Sequence, residues 1–257
     1  MAETSIEWTE RTWNPILGCS IATPGCINCY AMKMAGRLEA MGTERYLGTT
    51  TKQKKKSVWT GKLVLAPDST INDPLRRKKP TTYFVNSMGD LFHEECPTKW
   101  IDLVFNVMAN APQHTFQILT KRAGRLREYV ESRSEQPLAN VWLGVSTERQ
   151  KEAEARIPEL LAAPAAVRFI SAEPLLGPLD LSRFLRCRPS LDWVIVGGES
   201  GHGARPMSSA WVESLRDQCA TSRTPFFFKQ WGGKNKKKAG RMLGGRIYDA
   251  TPMALPL

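Results

Sequence analysis

Nowhere in its 257 residues does the chain reach the roughly 18 uninterrupted apolar residues that a membrane-spanning helix needs. Its opening segment, MAETSIEWTERTWN, has neither a basic region nor the apolar stretch that directs export. A soluble, cytoplasmic protein is expected. Histidine is scarce, three residues in all, and the one Cys-x2-Cys has neither a second such pair nor a His-x3-His to accompany it. A four-ligand structural zinc site therefore lacks a ready second half. Acidic residues are outnumbered, 25 Asp and Glu against 36 Lys and Arg, for a formal charge of +11. Core-forming residues are not lacking: 42% hydrophobic and 24% charged content is ordinary for a globular chain and excludes global disorder. One main domain is expected at this length.

The positive excess lies towards the two ends of the chain. It is densest in Lys52 to Lys56, which includes Lys54, Lys55 and Lys56; in Arg76, Arg77, Lys78 and Lys79; and in Lys234 to Lys238, which includes Lys236, Lys237 and Lys238. A single lysine run is commonly no more than a solvated loop. Three runs favour a polyanionic partner: DNA, RNA or a nucleotide-bearing molecule.

From residue 81 onward, β-branched or aromatic runs recur: TTYFVNSM, HTFQILTKR, VWLGVSTE, VRFISAEP, DWVIVGGES and PFFFKQWGG. Their starts at Tyr83, Thr115, Val141, Val167, Trp193 and Pro225 have the spacing of strand-helix modules. Between them, Trp100, Leu103, Val104, Val107 and Met108 repeat at helical spacing, as do Trp211, Val212, Leu215 and Cys219 behind Ser208 and Ser209. Strands this apolar, each followed by a helix, predict a parallel sheet covered by helices. The polar residues closing the runs would then gather at the carboxyl ends of the strands, where barrels carry their active sites. Glu148, Glu173 and Glu199 stand out, because crowded carboxylates repel unless they bind something. The last run leads into WGGKNKKKAGRMLGGR, read as a basic tail or flap.

Cys19, Cys26 and Cys29 form a Cys-x6-Cys-x2-Cys loop within TWNPILGCSIATPGCINCYAMKMAGRL, ahead of an Ala- and Met-rich helical stretch. Three readings compete. The cysteines are unlinked; or they hold zinc with a fourth ligand from His93, Cys96, His114, His202, Cys187 or Cys219; or they hold a [4Fe-4S] cluster with one open iron. Cys219 reads as a small core residue and Cys187 as a surface or helix-end thiol. Cys96, after DLFHEE, is a candidate fourth ligand.

A three-cysteine loop entering the first helix of a parallel strand-helix series resembles the radical S-adenosylmethionine superfamily. More closely, the chain resembles a phage- and prophage-associated three-cysteine-motif family of unassigned biochemistry. This likeness runs through TWNPILGC, CINCYA, NSMGDLFHEE, LTKR, GVSTE, SAEPLLGPLDL, VGGESG and FFFKQWGG. Two features depart from the superfamily's usual loop: the first gap is six residues rather than three, and the aromatic Tyr30 follows Cys29 instead of preceding it.

The resemblance implies an α/β fold, a (β/α)6-type partial TIM barrel of parallel strands with an additional C-terminal strand and a basic tail. Residues 1–232 would form the single barrel domain, with a cluster loop at 12–30, and 233–257 the Gly- and Lys-rich tail. It implies a [4Fe-4S] cluster on Cys19, Cys26 and Cys29 whose open iron takes S-adenosylmethionine. Asp90 would meet the cofactor's amino group, Ser146 and Glu148 its ribose, and Glu173 and Glu199 would line the cofactor or substrate pocket. Lys121, Arg122 and Lys229 would place positive charge near a phosphate or carboxylate. The activity implied is generation of a 5′-deoxyadenosyl radical, with an electron donor as partner and a nucleic acid or nucleotide as the substrate to be modified or repaired. The rival expectation is a non-catalytic nucleic-acid-binding protein stabilised by a metal.

Overall fold

The computed structural model describes residues 4–54, 56–133 and 135–252. The chain divides into two compact units, Met1–Thr120 and Lys121–Leu257. The division falls inside the span expected as one barrel domain. Both units are mixed α/β, and no helix among the described residues is long and apolar enough to cross a membrane.

The first unit contains β1 (Arg11–Trp13), β2 (Ile16–Leu17), α1 (Tyr30–Ala40), β3 (Thr50–Gln53), β4 (Lys56–Trp59), β5 (Val64–Leu65), α2 (Asp68–Ile71), α3 (Asp73–Arg76), β6 (Thr82–Val85), α4 (Thr98–Ala109) and β7 (Thr115–Thr120). β6 lies between β1 and β7 and is parallel to both, with Thr12 opposite Phe84 and Phe84 opposite Gln117. The stretch from Arg11 to Leu17 forms two strands, β1 and β2, rather than one. Pro15 interrupts it, because proline has no N–H to offer a ladder. Beyond the break β2 pairs antiparallel with β5 instead. α4 forms where the periodicity placed a helix and buries Val104, Val107 and Met108 as expected, but Ile101 and Phe105 complete the buried face, while Trp100 is half-buried and Leu103 exposed. Trp13, Tyr83 and Phe116 form an aromatic core across the three parallel strands, with Tyr83 stacked on Phe116.

The second unit contains α5 (Ala123–Ser132), β8 (Val141–Ser146), α6 (Gln150–Ala162), β9 (Val167–Ala172), α7 (Ser182–Arg186), β10 (Trp193–Gly197), α8 (Ser209–Ser222), β11 (Phe226–Gln230) and α9 (Lys236–Ala239). Its four strands run parallel in the order β8-β9-β10-β11. Every residue of β8 and β10 is buried, which is why both read as unbroken apolar runs. Part of the segment expected as a basic tail packs on β11. Phe228 N–H donates to Tyr248 O, Trp231 N–H to Gly240 O and Trp193 Nε1–H to Ala250 O, while Leu243 is buried and Arg241 lies over the Phe227 ring.

Candidate functional site

In the first unit the cysteine loop leaves β2 at Gly18, whose φ of 95° is costly for any residue with a side chain. A Cβ there would stand 2.0 Å from Lys62 O. Gly18 N–H donates to Met88 O, Gly18 and Gly89 form a parallel bridge, and Cys19 O accepts Gly61 N–H. Cys19 is thus held against the loop that follows β6. A 3-10 turn, Pro24–Cys26, closes on itself through Cys26 N–H to Thr23 O, and Cys29 N–H then donates to Cys26 O. Cys29 caps α1, its carbonyl accepting Lys33 N–H. Cys19 and Cys29 pack against the cluster formed by Leu17, Ala31, Met32, Trp59 and Met88.

None of the three is in a disulfide, and Cys26 is buried while the other two are partly so. Among the described residues no three His, Cys, Asp or Glu side chains converge as ligands of one ion. A [4Fe-4S] cube takes each thiolate on a different iron, so it asks for three thiols spread along one anchored loop. The loop carries three residues of the thiolate type that such a cluster takes.

Two side-chain amides join the sequences TWNP and NSMGD. Asn14 Oδ1 accepts Met88 N–H at 2.8 Å, and Asn86 Oδ1 accepts Ile16 N–H at 3.2 Å. Tyr30, the aromatic residue after Cys29, donates its hydroxyl to Ser87 O at 3.0 Å. Asp90 is buried, and its Oδ1 accepts Phe92 N–H at 3.1 Å and Thr120 Oγ1–H at 2.6 Å. Buried His93 accepts Glu95 N–H on Nδ1, which leaves the ring proton on Nε2 to be donated to Ser20 Oγ. Thr120 closes one of the apolar runs but was given no role of its own, and no short-range pattern marks Ser20. Cys96 is buried with Sγ 3.9 Å from Pro97 O.

In the second unit the carboxyl ends of the strands carry paired charges. At the end of β8, Arg156 Nη1 on α6 donates to Ser146 O at 2.7 Å and to Glu148 Oε2 at 3.0 Å, and Lys121 Nζ stands 3.6 Å from Glu148 Oε1. After β9, Glu173 meets Lys229 Nζ of β11 at 2.9 Å and Ser171 Oγ at 3.0 Å. Gly197, between them on β10, leaves room for that carboxylate: a Cβ would lie 2.7 Å from Glu173 Oε1. After β10, Glu199 is held in a forked pair with Arg205. Each of the three carboxylates therefore has a cation from this chain. Arg156 and Arg205 escaped sequence reasoning; the only signal for Arg156 was a charge on the buried face of a helix. Two buried polar atoms at these ends, Thr147 Oγ1 and Gln230 Oε1, have no hydrogen-bond partner. Cys219 is buried in α8, and Cys187 caps the end of α7.

The basic runs differ in kind. Lys54 and Lys56 are exposed on the β3–β4 hairpin, and Lys78, Lys79 and Lys238 are exposed. Lys55 and the side chains of Lys236 and Lys237 lie outside the described residues. Arg76, by contrast, pairs with Asp73 and donates to Ser69 O, and Arg77 Nε donates to Thr81 Oγ1.

No curated protein and no solved structure matches the chain. A family model described as "Protein of unknown function (DUF5131)" matches residues 3–252, nearly the whole sequence.

Proposed function

We propose that this chain, which belongs to that DUF5131 family, is a radical S-adenosylmethionine-type iron–sulfur enzyme built as a (β/α)6-type partial barrel and acting on a nucleic acid or nucleotide. The observation that carries this reading is the anchoring of the loop that bears three thiols, Cys19, Cys26 and Cys29, through Gly18 and Tyr30 to the β6 loop that bears Asp90. A [4Fe-4S] cluster held by those thiols, with S-adenosylmethionine bound and one electron received from an external donor, would supply reductive cleavage of the sulfonium to methionine and a 5′-deoxyadenosyl radical.

The remaining chemistry belongs to the chain. Asp90, fixed by Thr120 and Phe92, presents a carboxylate acceptor for a cationic amino group. Ser146 and Glu148 stand beside the unpartnered Thr147 hydroxyl; a buried hydroxyl left unpaired costs about 1–3 kcal/mol, and a sugar hydroxyl would satisfy it. Glu173 and Glu199, paired with Lys229 and Arg205, are the carboxylates assigned to the cofactor or substrate. The exposed lysines of the β3–β4 hairpin, together with Lys78, Lys79 and Lys238, supply counter-charge for a phosphate backbone.

The test is turnover. Protein reconstituted anaerobically with iron and sulfide, then given dithionite and S-adenosylmethionine, should release 5′-deoxyadenosine. Cys19→Ala, Cys26→Ala and Cys29→Ala should each abolish both the cluster and the release. Stoichiometric zinc with no iron uptake would overturn the reading and leave a metal-stabilised nucleic-acid-binding protein.

A further inference from the structure

The second unit has a cavity of about 430 Å³ at the amino-terminal ends of β10 and β11. These strands are parallel, so the cavity lies at the end opposite Gly197 and Lys229. Arg186, Arg188 and Arg223 line it, with hydroxyls from Ser190, Ser222 and Thr224. The one acid in the lining, Asp192, has its Oδ2 occupied by Arg168 N–H at 2.7 Å. Among the described residues none of the three arginines is in an ion pair. Three exposed guanidiniums against the Asp192 carboxylate leave the lining net positive, although Asp180 also acts on Arg186, and guanidinium forks with hydroxyls match phosphate oxygens.

A second observation points the same way. Arg223 ends α8 in the left-handed conformation, with φ 59° and ψ 28°. Glycine or asparagine normally takes this position, since a Cβ there costs roughly 1–2 kcal/mol. Residues held in such sparsely populated conformations cluster at ligand sites, and this one lines the cavity.

We infer that this cavity binds the phosphate group of a mononucleotide-sized anion. Its volume falls within the roughly 300–1,000 Å³ of small-ligand sites. The site is separate from the cysteine loop and does not depend on the proposed radical chemistry. The phosphate belongs either to a free nucleoside diphosphate or to the end of an oligonucleotide.

Calorimetry at low ionic strength tests it with ADP, adenosine, inorganic pyrophosphate and a 5′-phosphorylated dinucleotide. Saturable binding of ADP and pyrophosphate but not adenosine is expected, and tighter binding of the dinucleotide than of ADP would assign the phosphate to an oligonucleotide end. Arg188→Gln and Arg223→Gly should each weaken binding by about tenfold, the loss of one charge-assisted hydrogen bond. Arg223→Gly should at the same time raise Tm, because glycine accepts the left-handed conformation. Absence of saturable binding by every phosphate probe, or unchanged affinity in Arg223→Gly, would overturn the inference. Because binding is read without cluster loading, its failure is distinguishable from failure of the enzyme reading.

Discussion

The imidazole Nε2 of His93 stands 2.8 Å from the Ser20 hydroxyl, tying the loop after β6 to the residue that follows Cys19. His93 is buried, so removing it leaves a cavity and takes this partner from the Ser20 hydroxyl. His93→Ala should cost about 2–3 kcal/mol of stability and lower the iron retained per chain after reconstitution. His93→Gln, which keeps a donor, should retain more. Full iron loading in the Ala variant would show that this tether does not serve the cysteines.

The Glu173–Lys229 pair should be strongly coupled, since both side chains are only 15% exposed. Lys229→Ala strands a carboxylate and should destabilise by about 3 kcal/mol. The double variant Glu173→Leu, Lys229→Met should recover most of that loss. Gly197→Ala should mimic the single variant by pushing the carboxylate off its seat. Denaturant titrations arranged as a double-mutant cycle measure the coupling, and additive losses would deny it.

Nucleic-acid affinity should separate the basic residues by their internal partners. For duplex DNA, replacing exposed Lys54 and Lys56 with Ala should shallow the dependence of log affinity on log salt by up to about 1.8, two contacts' worth. Arg76→Ala should change that slope less, because its guanidinium already serves Asp73 and Ser69 O. Binding without salt dependence would remove the polyanion from the account.

Burial pushes the Cys219 thiol up to about 12 from an ordinary 9.0. Between those values the folded chain keeps a proton that the unfolded chain has lost. Stability should therefore fall as pH rises through this window, by up to about 1.4 kcal/mol per pH unit from this group. Urea unfolding at two pH values inside the window should show that fall shrinking in Cys219→Ala. Equal slopes in the two proteins would contradict it.

The parallel strands were legible because their cause is local. β8 and β10 are buried on both faces and so are apolar but for Ser146 at the end of β8, and the helical spacing of α4 and α8 reflects a buried side on each. The break between β1 and β2 was present in the sequence as Pro15, yet its effect on pairing depended on β5. The packing of residues 240–250 on β11 was hidden, because a Gly- and Lys-rich stretch shows no periodicity when backbone groups and a few large side chains make its contacts. Ser20, Thr120, Arg156 and Arg205 were equally hidden, each serving a partner that its own neighbourhood does not predict.

By itself, then, the sequence determined the alternation of buried strands and amphipathic helices, the three thiols of one loop and the excess of positive charge, since each is a property of composition or short spacing. Only the tertiary structure decided which cation neutralises which carboxylate, that Asn14 and Asn86 stitch the cysteine loop's approach to the β6 loop, and that Arg186, Arg188 and Arg223 line one cavity. Hydrogen bonds and ion pairs act over about 3 Å, and only folding brings residues distant in the chain within that reach.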